Sequence, residues 1–216
     1  LFALKKCRTS ALGGHIDACD ECGTMSISYN SCRNRHCPKC QGKNREKWME
    51  KREQDLLPCT YYHVVFTLPQ ELNGLAISQP QLIYKALFEA AWATLNQFGK
   101  TEGLQLGMIG VLHTWGQNLS LHPHLHCIVP GGGLTMQGKW RKKVRTDKFL
   151  FPVKALSKVY CAKFVALLRT SGVKDSNLMD KLFSKNWVVY AKRPFGGPKQ
   201  VIEYLGRYTH SPRWIF

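Results

Sequence analysis

Acidic residues are scarce in this chain: 14 Asp and Glu stand against 31 Lys and Arg, a formal net charge of +17 at pH 7. The scarcity is sharpest over residues 103–146, which contain no Asp or Glu at all. A metal site made only of carboxylate oxygens cannot be assembled from that stretch. The charge balance selects a polyanion as partner, with nucleic acid ahead of an anionic membrane surface. Long apolar runs are also missing, so nothing in the sequence is suited to span a bilayer. The opening "LFALKKCRTS" is not a signal peptide and lacks an initiator Met, which leads us to expect that the true N-terminus lies upstream. There is no internal repeat and no low-complexity tract. What remains is a chain of 216 residues that is 44% hydrophobic, enough for one medium domain plus a small one.

Cysteine is present in an odd number, 9, and six of these fall within residues 7–40. Small secreted domains pair even sets in disulfides, whereas clusters of this kind in reducing compartments hold metal. The segment "CDECGTMSISYNSCRNRHCPKC" contains two C-x-x-C pairs, Cys19/Cys22 and Cys37/Cys40, with 14 residues between them. Each pair can aim two thiolates at one ion, so the four are expected to form a tetrahedral structural zinc site. Cys7, His15, Cys32 and His36 lie nearby and would suit a second zinc ion. Arg33, Arg35, Lys39, Lys43, Arg45, Lys47, Lys51 and Arg52 run from the last cysteines into a helical pattern, a charge row suited to phosphate contact.

Beyond Pro58 the pattern changes. "TYYHVVFTLP" reads as a strand, residues 80–99 as a helix, and residues 106–117 and 122–132 as two strands joined by a short polar gap. A second helix is expected over about residues 153–171, a strand over 186–195, and a last helix opening at "GGPKQVIEYLGRYTH". The order points to an α+β domain whose sheet is covered on one face by helices. The expected division is a zinc-binding, DNA-binding domain at 1–57 and a second domain at 58–216.

"LSLHPHLHCIVPGGG" places His122, His124 and His126 at alternate positions. A strand repeats its side-chain direction every two residues, so His124 and His126 share a face while Leu125 is buried on the other. His122 shares the phase, but Pro123 leaves its direction open. If the two strands form a hairpin, His113 falls opposite His124 or His126, completing a three-imidazole site with open positions. Imidazoles suit Mn²⁺ and other transition ions, and water or phosphate oxygens can complete a Mg²⁺ shell. Gln117 and Glu203 are candidates for one more ligand. Downstream, Tyr204 and Tyr208 are four residues apart, one helical turn on one face, beside Arg207 and His210. Phenols among cations are suited to nucleophilic attack. Lys139, Arg141, Lys142, Lys143, Arg145 and Lys148, with Trp140 among them, would serve single-stranded DNA by charge and stacking.

A His-hydrophobic-His strand followed by Tyr-x-x-x-Tyr on a later helix resembles the HUH endonucleases. With "SYNSCRNRHCPKCQ", "HTWGQNLSLHPHLHCIVPGGG" and "YLGRYTH", the chain looks like the two-tyrosine rolling-circle transposases of the IS-ninety-one group. That resemblance implies a ferredoxin-like nuclease domain behind an N-terminal zinc domain. It implies a Mg²⁺ or Mn²⁺ ion on His113, His124 and His126, and attack by Tyr204 or Tyr208 that leaves a 5′-phosphotyrosine. It also implies single-stranded DNA at transposon ends as substrate, action in the bacterial cytoplasm at the nucleoid, and a chain cut short at its C-terminus after "SPRWIF". Two other readings stand beside it: a non-catalytic zinc DNA-binding remnant, and a hydrolase with a three-histidine zinc centre.

Overall fold

The computed structural model describes residues 2–34, 37–116, 118, 120–142, 150–192, 199–200 and 202–203, without the side chains of 43–45 and 192. The chain divides into two compact units, one built mainly on Leu1–Asp55 and the other mainly on Leu56–Val201.

In the first unit, α1 (Phe2–Lys5) and a 3₁₀ turn (Ser10–Leu12) precede an antiparallel hairpin of β1 (Gly14–Ala18) and β2 (Met25–Tyr29). Helix α2 (Pro38–Gln54) follows, with Pro38 in its first turn, where a missing N–H costs nothing. Lys51 and Arg52 sit in its last turn, where cations favour the helix dipole. Neither hairpin strand buries a side chain. The buried cluster here is Cys7, Cys37 and Cys40, with Leu4 and Cys32 packed against it.

The second unit holds β3 (Tyr61–Thr67), a 3₁₀ turn (Gln70–Leu72), α3 (Asn73–Ser78), α4 (Pro80–Thr101), β4 (Ile109–Trp115) and β5 (Leu121–Pro130). A small hairpin of β6 (Gly132–Leu134) and β7 (Trp140–Lys142) comes next, then α5 (Val153–Thr170), α6 (Ser176–Ser184) and β8 (Val189–Lys192). The main sheet has the order β4-β5-β3-β8, and each neighbouring pair is antiparallel. Leaving out the short additions, the connectivity is strand–helix–strand–strand–helix–strand, the ferredoxin-like arrangement. One sheet face carries Val64, Phe66, Leu125, Cys127, Val129, Val189 and Ala191 into a core with Leu87 and Ala91 of α4 and Leu156, Tyr160 and Phe164 of α5. Strand alternation puts His63, Val65, His113, His124 and His126 on the other face.

The strands are shorter than their sequence patterns suggest: β4 runs only from Ile109 to Trp115, β5 ends at Pro130, and β8 begins at Val189. The β6–β7 hairpin and α6 were not expected, because three-residue strands and a nine-residue helix carry too little periodicity to register. The glycines after β5 have a packing reason. A Cβ at Gly132 would meet the Arg141 carbonyl oxygen at 2.6 Å, and one at Gly133 would meet the Gln105 carbonyl oxygen at 2.4 Å. Backbone cannot retreat as a side-chain tip can. Gly133→Ala is therefore expected to cost about 1–3 kcal/mol of stability, the usual penalty of overpacking, read as a lowered denaturation midpoint. An unchanged midpoint would show that the close approach is not needed.

Candidate metal centres

The first centre is a thiol cluster. The Sγ atoms of Cys7, Cys32, Cys37 and Cys40 all lie within 4.8 Å of one another. Cys7 Sγ is 3.5 Å from Cys40 Sγ, and Cys32 Sγ is 3.7 Å from it. A tetrahedron with zinc–sulfur bonds of about 2.3 Å has edges of about 3.8 Å, so the donor set fits zinc. All four cysteines are free thiols. The Cys32 backbone N–H donates to Cys7 Sγ at 3.4 Å, and Lys39 Nζ donates to the Cys7 carbonyl at 2.9 Å. The Cys40 backbone N–H, helped by hydrogen bonds from Cys7 and Cys32, lowers the Cys37 thiol to about 7. A thiolate is thus within reach near neutral pH, as metal binding requires.

This grouping differs from the one expected. Cys37 and Cys40 join Cys7 and Cys32, not Cys19 and Cys22. The hairpin explains the difference. Cys7 and Cys32 flank its base, where the Arg8 N–H donates to the Asn30 carbonyl at 3.0 Å. Cys19 and Cys22 occupy its tip, where the Cys19 N–H donates to the Thr24 carbonyl at 2.9 Å. Five residues of strand separate the two ends by about 16 Å. Both tip cysteines are exposed, and the Thr24 hydroxyl beside Cys22 Sγ lowers that thiol to about 7. His15 is exposed on β1, 3.5 Å from the Asp17 carboxylate. His36 lies outside the described residues.

The second centre stands on the open face of the main sheet. In β5, His124 and His126 share that face, and Leu125 between them is fully buried in the core. Register pairs His113 of β4 directly with His124, with a bulge just beyond, between His113 and Trp115. One ring nitrogen from each of His113, His124 and His126 lies within 4.8 Å of the others. The ring centroids of His113 and His126 are 4.2 Å apart, and those of His124 and His126 are 4.9 Å apart. A convergent set of imidazoles within that span suits a divalent transition ion or Mg²⁺ with added oxygen ligands. His122 is exposed at the start of β5 and outside this group, but its carbonyl accepts from His124 Nδ1 at 2.6 Å. That bond places the lone pair of His124 on Nε2.

Sequence reasoning passed over His63. It sits on β3, on the other side of β5 from His113, and its Nε2 is 2.7 Å from His126 Nδ1. Its histidine identity at an alternate position of a strand was the available signal. Glu203 is exposed and outside the histidine group. Gln117, Tyr204, Arg207, Tyr208 and His210 lie outside the described residues, as do Arg35, Lys143, Arg145 and Lys148. Arg33 and Lys39 are exposed in the first unit, and Lys139, Trp140, Arg141 and Lys142 on and beside β7. Arg141 donates to the Glu102 carbonyl, which ties the small hairpin to the end of α4.

Burial lowers the histidines of this centre. It brings His113 to about 4 and His126 to about 2, with mutual repulsion among the imidazoles adding to the effect, and it also pushes His124 and His63 down. The folded rings therefore stay neutral at pH values where unfolded ones, near ~6.5, gain a proton. Between those two values the unfolded chain binds more protons, so stability falls as pH falls. Without an ion at the histidines, the denaturation midpoint is expected to hold above about pH 6.5 and to drop steadily toward pH 4. A midpoint that rises over that window would contradict the burial of these rings.

A four-thiol cluster in one unit and a histidine triad on a ferredoxin-like sheet in the other make an α+β protein of two parts, each with a donor set that fits a metal ion. Comparison with known families narrows this. Residues 1–68 match the family described as "Transposase zinc-binding domain", and residues 107–213 match the one described as "Putative transposase". The chain belongs to the transposases that join these two domains. It is 42% identical over 97% of its length to "Putative transposase y4qJ" of Sinorhizobium fredii, covering 58% of that protein. It is 30% identical over 95% of its length to the "Transposase for insertion sequence element IS801" of Pseudomonas savastanoi pv. phaseolicola, covering 53% of it. The chain thus spans a little over half the length of these curated relatives. Among solved structures, the conjugative relaxase TrwC with oriT DNA, in a metal-free form, is similar over 51% of this chain and 44% of its own. Identity there is 19% and the TM-score 0.36, too low to decide anything further.

Proposed function

We propose that the chain is the zinc-binding and nuclease portion of a transposase that cuts and rejoins single-stranded DNA by rolling-circle transposition. The observation that carries this reading is the convergence of His113, His124 and His126 on one open sheet face within a transposase family. In this reading residues 1–57 are the zinc-binding, DNA-binding part and 58–216 the nuclease part. A Mg²⁺ or Mn²⁺ ion held by the three imidazoles would supply Lewis-acid stabilisation of the charge on a scissile phosphate.

The remaining roles belong to side chains. Neutral imidazoles keep their lone pairs available as ligands, and no carboxylate in residues 103–146 opposes an incoming phosphate. Tyr204 or Tyr208 is the nucleophile: its phenol oxygen forms a bond to phosphorus while the bond from phosphorus to the 3′-oxygen breaks. The phenol proton is released to solvent and the leaving 3′-oxygen takes one up, giving a free 3′-hydroxyl and a 5′-phosphotyrosine. The ester retains the bond energy for joining, so no external energy source is required, and the second tyrosine can accept the other strand. This assignment rests on the one-turn spacing of the tyrosines and on the family resemblance. Lys139, Arg141 and Lys142, with Trp140 among them, offer charge and a stacking surface to the strand.

The test is a labelled single-stranded oligonucleotide carrying a transposon end, incubated with Mn²⁺ or Mg²⁺ and run on a denaturing gel. A covalent adduct is expected, and it should disappear when Tyr204→Phe and Tyr208→Phe are combined. An adduct that survives the double substitution removes the tyrosines from the reaction. Binding without any adduct favours a non-catalytic DNA-binding remnant.

A further inference from the structure

His63 has no part in the proposed reaction, yet it is joined to it. It lies on β3, which pairs with β5 in a register that places Val65 opposite His126. Two residues along the same strand face, His63 reaches across so that its Nε2 is 2.7 Å from His126 Nδ1. The two rings are 16° from parallel with centroids 4.9 Å apart, so the nitrogens meet edge to edge nearly within one plane, as an in-plane hydrogen bond requires. His63 falls outside the group of three converging ligand nitrogens.

An imidazole that binds an ion through one nitrogen must carry its proton on the other, and whatever accepts that proton fixes both tautomer and ring plane. At His124 the acceptor is a main-chain oxygen, the His122 carbonyl. At His126 the group against Nδ1 is a side chain from a neighbouring strand. We infer that His63 is a positioning residue for the divalent-ion site: its Nε2 accepts the Nδ1–H of His126 and so presents the His126 Nε2 lone pair to the ion. This rests on the reading of His113, His124 and His126 as the ligands. It requires His63 to carry its own proton on Nδ1, and it engages Nε2 with His126, so His63 supports a ligand without being one.

The choice of residue has a chemical consequence. A carboxylate in this place would accept the same proton but bring a negative charge beside the ion. A neutral imidazole orients His126 and leaves the ion's double positive charge undiminished for a phosphodiester.

The test is Mn²⁺ binding by the zinc-loaded full chain, followed by the electron paramagnetic resonance signal of free Mn²⁺ and by calorimetry. His63→Phe keeps an aromatic ring and loses the acceptor, and His63→Gln offers a carbonyl oxygen in its place. His63→Phe is expected to weaken Mn²⁺ binding about 10–100-fold, the usual cost of removing such a partner. His63→Gln should stay within about 3-fold of the parent, as expected if the acceptor and not the ring is what matters. Should His63→Phe fail to fold, His63→Leu serves in its place. Parental affinity in the Phe or Leu variant overturns the inference, and so does a Gln variant as weak as these. The ion reading itself is checked separately: a parent that binds no Mn²⁺, or whose binding survives His124→Ala, overturns that reading and this inference with it.

Discussion

Replacing His124 with alanine is expected to abolish saturable Mn²⁺ binding and to slow adduct formation about 10³-fold or more. The size follows from the site. Lewis-acid stabilisation of a phosphate contributes several kcal/mol to the transition state, and each ~1.4 kcal/mol is a factor of ten in rate. His124 is the right residue to remove, because its ring stands on the open face while Leu125 and Cys127 hold the strand in the core. The thermal midpoint of the variant should therefore stay close to that of the parent. Loss of cleavage with Mn²⁺ affinity intact would mean that the ion sits elsewhere. If the substitution left both unchanged, the sheet face would have no part in the chemistry. The companion substitution His122→Ala should have a far smaller effect: it removes a ring contact at 5.4 Å but retains the backbone carbonyl that accepts from His124 Nδ1.

The second large effect is expected at the thiol cluster. Among the described residues of the first unit the buried hydrophobic side chains are Cys7, Cys37, Cys40 and Ile202, too few to hold a domain by burial. The zinc the cysteines fit must then supply most of the folding free energy, and structural zinc in small domains contributes about 10–16 kcal/mol at neutral pH. Stripping the ion with a chelator, or Cys40→Ser, is expected to unfold this unit while the second keeps its own cooperative transition. Limited proteolysis and hydrogen exchange would read the two units separately. Cys22→Ser, at the far end of the hairpin, should leave the zinc of the Cys7, Cys32, Cys37 and Cys40 set in place. A first unit that survives chelation unchanged would show that it folds without metal.

These two sites were legible in the sequence to different depths. The His124 and His126 pair could be read directly, because a strand's two-residue period converts spacing into direction. His113 could be named as a partner, but the choice between His124 and His126 is a matter of register, which one residue of slip reverses. The cysteines are recognisable by type as candidate metal ligands, but the structure groups Cys37 and Cys40 with Cys7 and Cys32, a neighbourhood their spacing does not give. Two C-x-x-C pairs look equivalent on paper, and nothing in their spacing says that a hairpin holds one pair at its tip while Cys7 and Cys32 close its base. His63 escaped notice for a related reason. A single histidine within an apolar strand usually packs quietly, and its nearness to His126 exists only through pairing of β3 with β5 across more than sixty residues. The sheet order itself was open as well: helix and strand periodicity suggest α+β, but not that β5 lies between β4 and β3.

That sheet order has a consequence for how firmly the histidine site is held. Its members come from three adjacent strands: His113 on β4, His124 and His126 on β5, and His63 on β3. Hydrogen-bonded strands repeat at about 4.8 Å, a spacing set by the peptide group and nearly indifferent to sequence. The distances between the rings are therefore inherited from the lattice of the sheet and not from the conformation of any loop. Segments at the sheet's margins can change in length and composition without detuning the site. By the same token the site has no soft mode of its own. An ion held there would be lost only when the strands themselves come apart, so that loss of binding on heating and unfolding of the sheet become one event.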